Sequence, residues 1–214
     1  MSDTPQPQYI DTADALQAFC GRISGADWIA LDTEFLREKT YYPKLCLLQI
    51  ATPGVVACID PLALDDLDPL LELIFDPGIT KVMHSARQDM EIFFHLRGAA
   101  PAPVFDTQIA ALLLGYPDQI GYGNLVRELL GVDLEKLHTR ADWSLRPLSA
   151  AQRQYAADDV IYLVEVYRQM QAKLQQLGRL EWLAEDFEQL SSAALYHTRP
   201  DQAWLKVKGG SRLK

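Results

Sequence analysis

Along the first sixty residues the apolar positions come in short runs bounded by turn formers. WIALD (28–32), LCLLQIA (45–51) and VVACI (55–59) have the length and continuity of buried strands, and Thr52-Pro53-Gly54 is a tight-turn sequence between the last two. An earlier stretch, 12–20, fits a short helix. Beyond residue 66 the apolar spacing becomes helical over 67–75, 86–97, 107–114, 123–130, 150–177 and 179–195, with brief strands at 80–83 and 104–105. Ser149 and Gln152, just after Pro147, form a capping-box signature that opens the longest helix. Strands first, then strand–helix alternation, then helices predict an α/β sandwich with a central mixed β-sheet flanked by helices. Residues 1–8 read as a flexible polar leader, and the stretch after Tyr196 reads as a less periodic tail.

Several polar residues sit where this pattern calls for apolar ones. Asp32 and Glu34 end the first strand two residues apart, which puts them on one face. The ordinary alternative is a strand end with two solvated acids. Within ARQDMEIFFHLR (86–97), a step of about 100° per residue gathers Ala86, Met90, Phe93, Phe94 and Leu96 on one arc, and Asp89 falls inside it. A carboxylate there needs a strong partner or gives up its charge; backbone N–H groups are one candidate partner. In the longest helix the apolar face is Tyr162, Leu163, Val166, Met170, Leu174 and Leu177, and Tyr155 and Asp159 share it one turn apart. The neighbouring Asp158 is expected on the solvent side. Tyr155 could equally serve as a core tyrosine.

The bulk numbers change the picture in one respect. The chain has 214 residues, 49% hydrophobic and 23% charged, as expected of a soluble globular domain. Its net charge of −9 argues on its face against a nucleic-acid partner. Carboxylates that hold cations count as negative only in the unloaded chain, however. Basic residues also cluster at Arg37, Lys39 and Lys44, around Tyr41 and Tyr42, and again in the tail at Lys206, Lys208, Arg212 and Lys214. A solvated surface is the simpler reading of both clusters. Cys20, Cys46 and Cys58 show no metal spacing and suggest free buried thiols in a reducing cytoplasm. The first residues have no basic segment followed by an apolar one, and no apolar run is long enough for a membrane span.

Four inward carboxylates would repel one another without cations. Oxygen-only donors select hard divalent ions, Mg²⁺ or Mn²⁺, and four carboxylates suit two of them sharing a ligand, as in phosphoryl-transfer enzymes. The Tyr155 phenol, with an ordinary pKa near 10, would then orient an attacking water rather than deprotonate it.

The three segments DTE (32–34), HSARQD (84–89) and YAADD (155–159) resemble the three exonuclease motifs of the DEDD superfamily, and the tyrosine four residues before the last Asp matches its tyrosine subgroup. The stretches LDTEFLREKTYYPKLCLLQIA, VFDTQIAALLLGY, ADWSLRPLS and YAADDVIYL extend the resemblance to the bacterial ribonuclease D family, from about residue 9 to 197. The resemblance implies a ribonuclease-H-like three-layer sandwich over 9–197. It also implies 3′-5′ exonucleolytic hydrolysis of RNA, precursor tRNA and other stable RNAs included, to nucleoside 5′-monophosphates. It assigns Asp32, Glu34, Asp89 and Asp159 to two Mg²⁺ or Mn²⁺ ions, Asp32 bridging, Glu34 and Asp159 on the water-activating ion and Asp89 on the other. Tyr155 completes the catalytic set. Lys136 matches a family lysine and is a candidate for phosphate contact or a plain surface charge. Phe35 and Tyr41 or Tyr42 are candidates to stack on terminal bases. The expected protein is a cytoplasmic monomer without membrane contact. Family members carry helical RNA-gripping modules after the nuclease domain, and 198–214 reads as the basic lead-in to one. The motifs leave open a 3′-5′ DNA exonuclease of proofreading or repair type, since the same acids serve both and only 2′-OH contacts separate the substrates. They also leave open a non-catalytic RNA-binding domain.

Overall fold

The computed structural model describes residues 6–37, 42–135 and 141–197. Six strands, β1 (Gln8–Ile10), β2 (Trp28–Leu36), β3 (Lys44–Thr52), β4 (Val55–Ile59), β5 (Thr80–Met83) and β6 (Val104–Asp106), form one sheet in the order β1-β4-β3-β2-β5-β6. β2, β3 and β4 are an antiparallel meander; β5 pairs parallel with β2, β6 with β5, and β1 with β4. The β3–β4 hairpin turns at Pro53-Gly54, where Gly54 has φ 87°, a conformation open to glycine. The sheet is therefore mixed, as the order of apolar runs predicts.

The helices are α1 (Ala13–Ile23), α2 (Asp68–Ile74), α3 (Arg87–Arg97), α4 (Thr107–Leu113), α5 (Tyr122–Leu130), α6 (Ala150–Gln176), α7 (Ala184–Leu190) and α8 (Ala193–Tyr196). Two apolar cores, one on each face of the sheet, make the three layers. One joins Leu16 and Phe19 of α1, Leu70 and Ile74 of α2 and Met90 and Phe93 of α3 to Ile29, Leu31, Leu48 and Ile50. The other joins Ala110 of α4, Leu125 of α5 and Ala156, Val160 and Leu163 of α6 to Ala30, Leu47, Ala51 and Cys58.

Most expected elements are present, with four differences. Gln8–Ile10, at the edge of the expected leader, is a strand, because β4 offers it a parallel partner far along the chain. The first acidic strand runs four residues further than its apolar run, to Leu36, since pairing with β3 continues to Leu36↔Lys44. The stretch 179–195 is broken into a short 3₁₀ turn, α7 and α8. On α3, Leu96 is 43% exposed while Ile92 is buried, so the covered arc is shifted from the expected one in the last turn. Tyr41, Lys136 and the 198–214 tail lie outside the described residues.

Candidate active site

Strand alternation decides where the first two acids point. Ile29 and Leu31 of β2 belong to the core beneath α3, and Ala30 to the core beneath α6. Asp32 and Glu34 follow Ala30 toward α6, and Thr33 follows Leu31 toward α3. Thr33 is accordingly found donating its hydroxyl to Asp89 Oδ1 on α3. Beyond Glu34 the β2–β3 register slips, with Glu34 opposite Leu47 and Phe35 opposite Leu45. A bulge there re-aims the end of the strand, a device common beside functional sites.

Asp89 lies in the first turn of α3 and is 7% exposed. Its position depends on the bend between β5 and α3, where Ser85 takes φ 57°. Asp106, at the end of β6, holds that bend by accepting from the N–H groups of Ser85 (3.0 Å) and Ala86 (2.8 Å) while capping α4 through Gln108 N–H (2.8 Å). His84 is fixed on the same bend, with Nδ1 2.9 Å from Thr107 Oγ1 and Nε2 3.1 Å from the Ile120 carbonyl oxygen.

The third contribution comes from α6, which starts at Ser149 with the expected capping box and crosses β2, β3 and β4. Asp159 and Tyr155 are partly buried one turn apart on its sheet-facing side. The Tyr155 ring stacks on Trp143, with centroids 6.2 Å apart and planes 29° apart. Arg146 pins the loop that carries Trp143. Its guanidinium donates to both oxygens of Asp60 (2.5 and 2.7 Å) and to the carbonyls of Cys46, Trp143 and Leu145 (2.7, 2.7 and 2.8 Å). Asp158 is not the solvated residue expected. It is half-buried, takes a bond from Gln154 (2.8 Å) and offers its carbonyl to the Tyr122 hydroxyl (3.1 Å).

Burial raises all four acids, and neighbouring carboxylates add to it. Burial pushes Glu34 up to about 9, and the charges of Asp32, Asp159 and Asp89 add to the push. Burial and then Asp159 raise Asp32. Burial and then Asp32 raise Asp89, against the Thr33 hydrogen bond. Burial and then Asp158 raise Asp159 to about 7. Tyr155 is raised by burial, then by Asp159, Glu34 and Asp32. Asp32 and Asp159 also border a cavity of about 190 Å³ with His84, Tyr122 and Leu163. A cleft of about 250 Å³ that also reaches Asp159 is lined by Tyr155, Asp158, Gln154 and Glu135.

These residues fit a divalent-cation site by the chemistry of their donors. All four are hard oxygen ligands, and none has an ion-pair partner among the described residues. They have not closed into a cage: among the described residues no group of three or more His, Cys, Asp or Glu is disposed to grip an ion. Of the other candidates, Phe35 is half-buried against the α1–α3 core. Tyr42 is 54% exposed and lies beside His95 of α3, centroids 4.2 Å apart. Thr33, Asp106, Trp143 and Arg146 lie in stretches that carry the resemblance, but their roles here emerge only from what they touch.

Fold and site together define a 3′-5′ exonuclease domain. The family model for 3′-5′ exonuclease matches residues 7–175, and the chain belongs to that family, whose enzymes depend on divalent metal. It is similar to ribonuclease D of Acidiphilium cryptum, 48% identical over 97% of this chain and 54% of the relative. In solved structures it is similar to Escherichia coli RNase D, described as an exoribonuclease involved in structured RNA processing (TM-score 0.89, 36% identity, 98% of this chain, 56% of that chain). It is also similar to Brucella melitensis NrnC with bound Mg²⁺ (TM-score 0.73, 29% identity, 94% of each chain). NrnC has also been solved bound to pGG. The chain spans about half the length of the curated relatives it matches.

Proposed function

We propose that the chain is the nuclease domain of a 3′-5′ exoribonuclease that removes nucleoside 5′-monophosphates from RNA 3′ ends, those of precursor tRNA and other stable RNAs among them. One observation supports this reading above the others: four carboxylates on three separate segments, Asp89 buried and Asp32, Glu34 and Asp159 partly so, have no ion-pair partner among the described residues. Asp32, Glu34, Asp89 and Asp159 would hold two divalent ions, Mg²⁺ or Mn²⁺. Such ions acidify a bound water and stabilise charge on the departing oxygen. Tyr155, its ring beside that of Trp143, directs its hydroxyl at the attacking water. Water adds to phosphorus, the bond from phosphorus to the 3′ oxygen of the preceding nucleotide breaks, that oxygen takes a proton, and the phosphate leaves on the 5′ side of the released nucleotide. Phe35, Tyr41, Tyr42 and Lys136 are assigned to holding the terminal nucleotides. A monomer in the cytoplasm is the assembly and location proposed, in keeping with three free, buried thiols.

The names of the relatives support RNA as substrate, and the test separates it from DNA. A time course on a 3′-tailed RNA, its matched DNA and a dinucleotide, with and without chelator, is expected to give a metal-dependent ladder of single-nucleotide steps, fastest on RNA. A faster ladder on DNA would move the reading to a DNA exonuclease. Binding without hydrolysis would make the chain a non-catalytic RNA-binding domain.

A further inference from the structure

Gln49 is the most conspicuous buried group that the reaction leaves unused. It sits in the middle of β3 and is 0% exposed. Neither its Nε2 nor its Oε1 has a hydrogen-bond partner among the described residues. Leaving a buried amide unmet costs on the order of 1–3 kcal/mol, so a fold keeps few such groups. An apolar side chain of the same length would fill the space without that penalty.

Register shows where the amide is aimed. Gln49 is paired with Asp32 on β2 and with Cys58 on β4. Directly paired residues share a face, with Cβ atoms about 5 Å apart. Leu47 and Ala51, two residues to either side on β3, both belong to the core under α6, so Gln49 points into that layer with Asp32. Its other cross-strand neighbour is engaged elsewhere, since Cys58 Sγ lies 3.7 Å from the Arg153 carbonyl. Asp32 is thus the carboxylate paired with Gln49 on the same face of the sheet.

We propose that Gln49 is a positioning residue for the divalent-cation site: its side-chain N–H donates to the Asp32 carboxylate, directly or through one water. The hydrogen bond fixes the rotation of the carboxylate that has to face the ions. This rests on the cation-site reading given above. Partners of this kind change metal affinity by about 10–100-fold when removed, and apolar replacement of an unmet buried amide does not harm the metal-free fold.

The test is Gln49→Met, with calorimetric titration of Mn²⁺ into the metal-free chain and thermal melts of metal-free wild type and variant. The variant is expected to melt at the wild-type temperature or above it and to bind Mn²⁺ at least about 10-fold more weakly. Wild-type Mn²⁺ affinity in Gln49→Met would overturn the proposal. So would a variant that fails to fold or melts markedly lower, since the amide would then serve the metal-free fold. If wild type itself bound no Mn²⁺, the cation-site reading would fail, and the inference with it, before the variant was compared.

Discussion

Two places in one sheet bury carboxylates and treat them in opposite ways. Asp60, just past β4, is 2% exposed. Burial alone would raise its pKa, but the Arg146 guanidinium, the Tyr9 hydroxyl (2.5 Å) and the Leu62 N–H (2.9 Å) outweigh burial and hold it below the usual carboxylate range. Asp32, Glu34, Asp89 and Asp159 are raised instead and have no side-chain cation among the described residues. Among the described residues, one buried acid thus has a cationic partner and four others have none. The difference sets the four apart from a satisfied structural acid, and on the reading proposed above divalent cations supply their counter-charge.

Isosteric neutralisation should break that contrast most sharply. Asp32→Asn is expected to lower hydrolysis by roughly 10⁴-fold, the scale of losing a principal catalytic group, while the metal-free protein melts no lower than wild type. Asp60→Asn is expected to do the reverse. It strands Arg146 and costs about 3 kcal/mol of stability in a denaturant titration, with metal affinity per folded molecule unchanged. A destabilised Asp32→Asn, or a neutral Asp60→Asn, would erase the distinction.

A smaller effect sharpens the link between the two places. Arg146 holds the loop whose Trp143 stacks on Tyr155, so the satisfied acid also braces the unsatisfied ones. Tyr155→Phe keeps the stack and loses only the hydroxyl. It is expected to lower the single-turnover rate by about 10²-fold, with melting temperature and Mn²⁺ affinity unchanged. Smallest of all, Ser149→Ala removes the capping box of α6 and should cost about 1 kcal/mol in the same denaturant titration.

Much of this was legible in the sequence because each acid interrupts a periodic pattern. Asp89 lies inside an apolar arc, and Asp159 shares a face with Leu163 and Val166. Glu34 shows how such reading runs short. An apolar run ends at the first charge, so the strand was expected to stop at Asp32, whereas the ladder to β3 carries it to Leu36. β1 was missed for a related reason, since three residues have no period and pair with a strand almost fifty positions away. Thr33 and Gln49 read as unremarkable polar residues in apolar strands, and only register shows that one meets Asp89 and the other faces Asp32. The Arg146–Asp60 pair spans 86 positions and leaves no local trace.

The central claim is that divalent cations replace the missing counter-charge, and the response of stability to pH tests it most directly. An acid with a raised folded-state pKa stabilises fully below its unfolded pKa of about 4 and loses that contribution as pH rises through the folded value. For Asp159 that value is about 7 and for Glu34 about 9. Lys81, pushed down by burial to about 8, acts in the opposite sense above that pH, so the melting temperature is compared with and without Mg²⁺ at each pH. The gain on adding Mg²⁺ should be small at pH 5, grow to pH 9, and vanish in Asp32→Asn. A gain that is absent, independent of pH, or retained in full by Asp32→Asn would contradict the account.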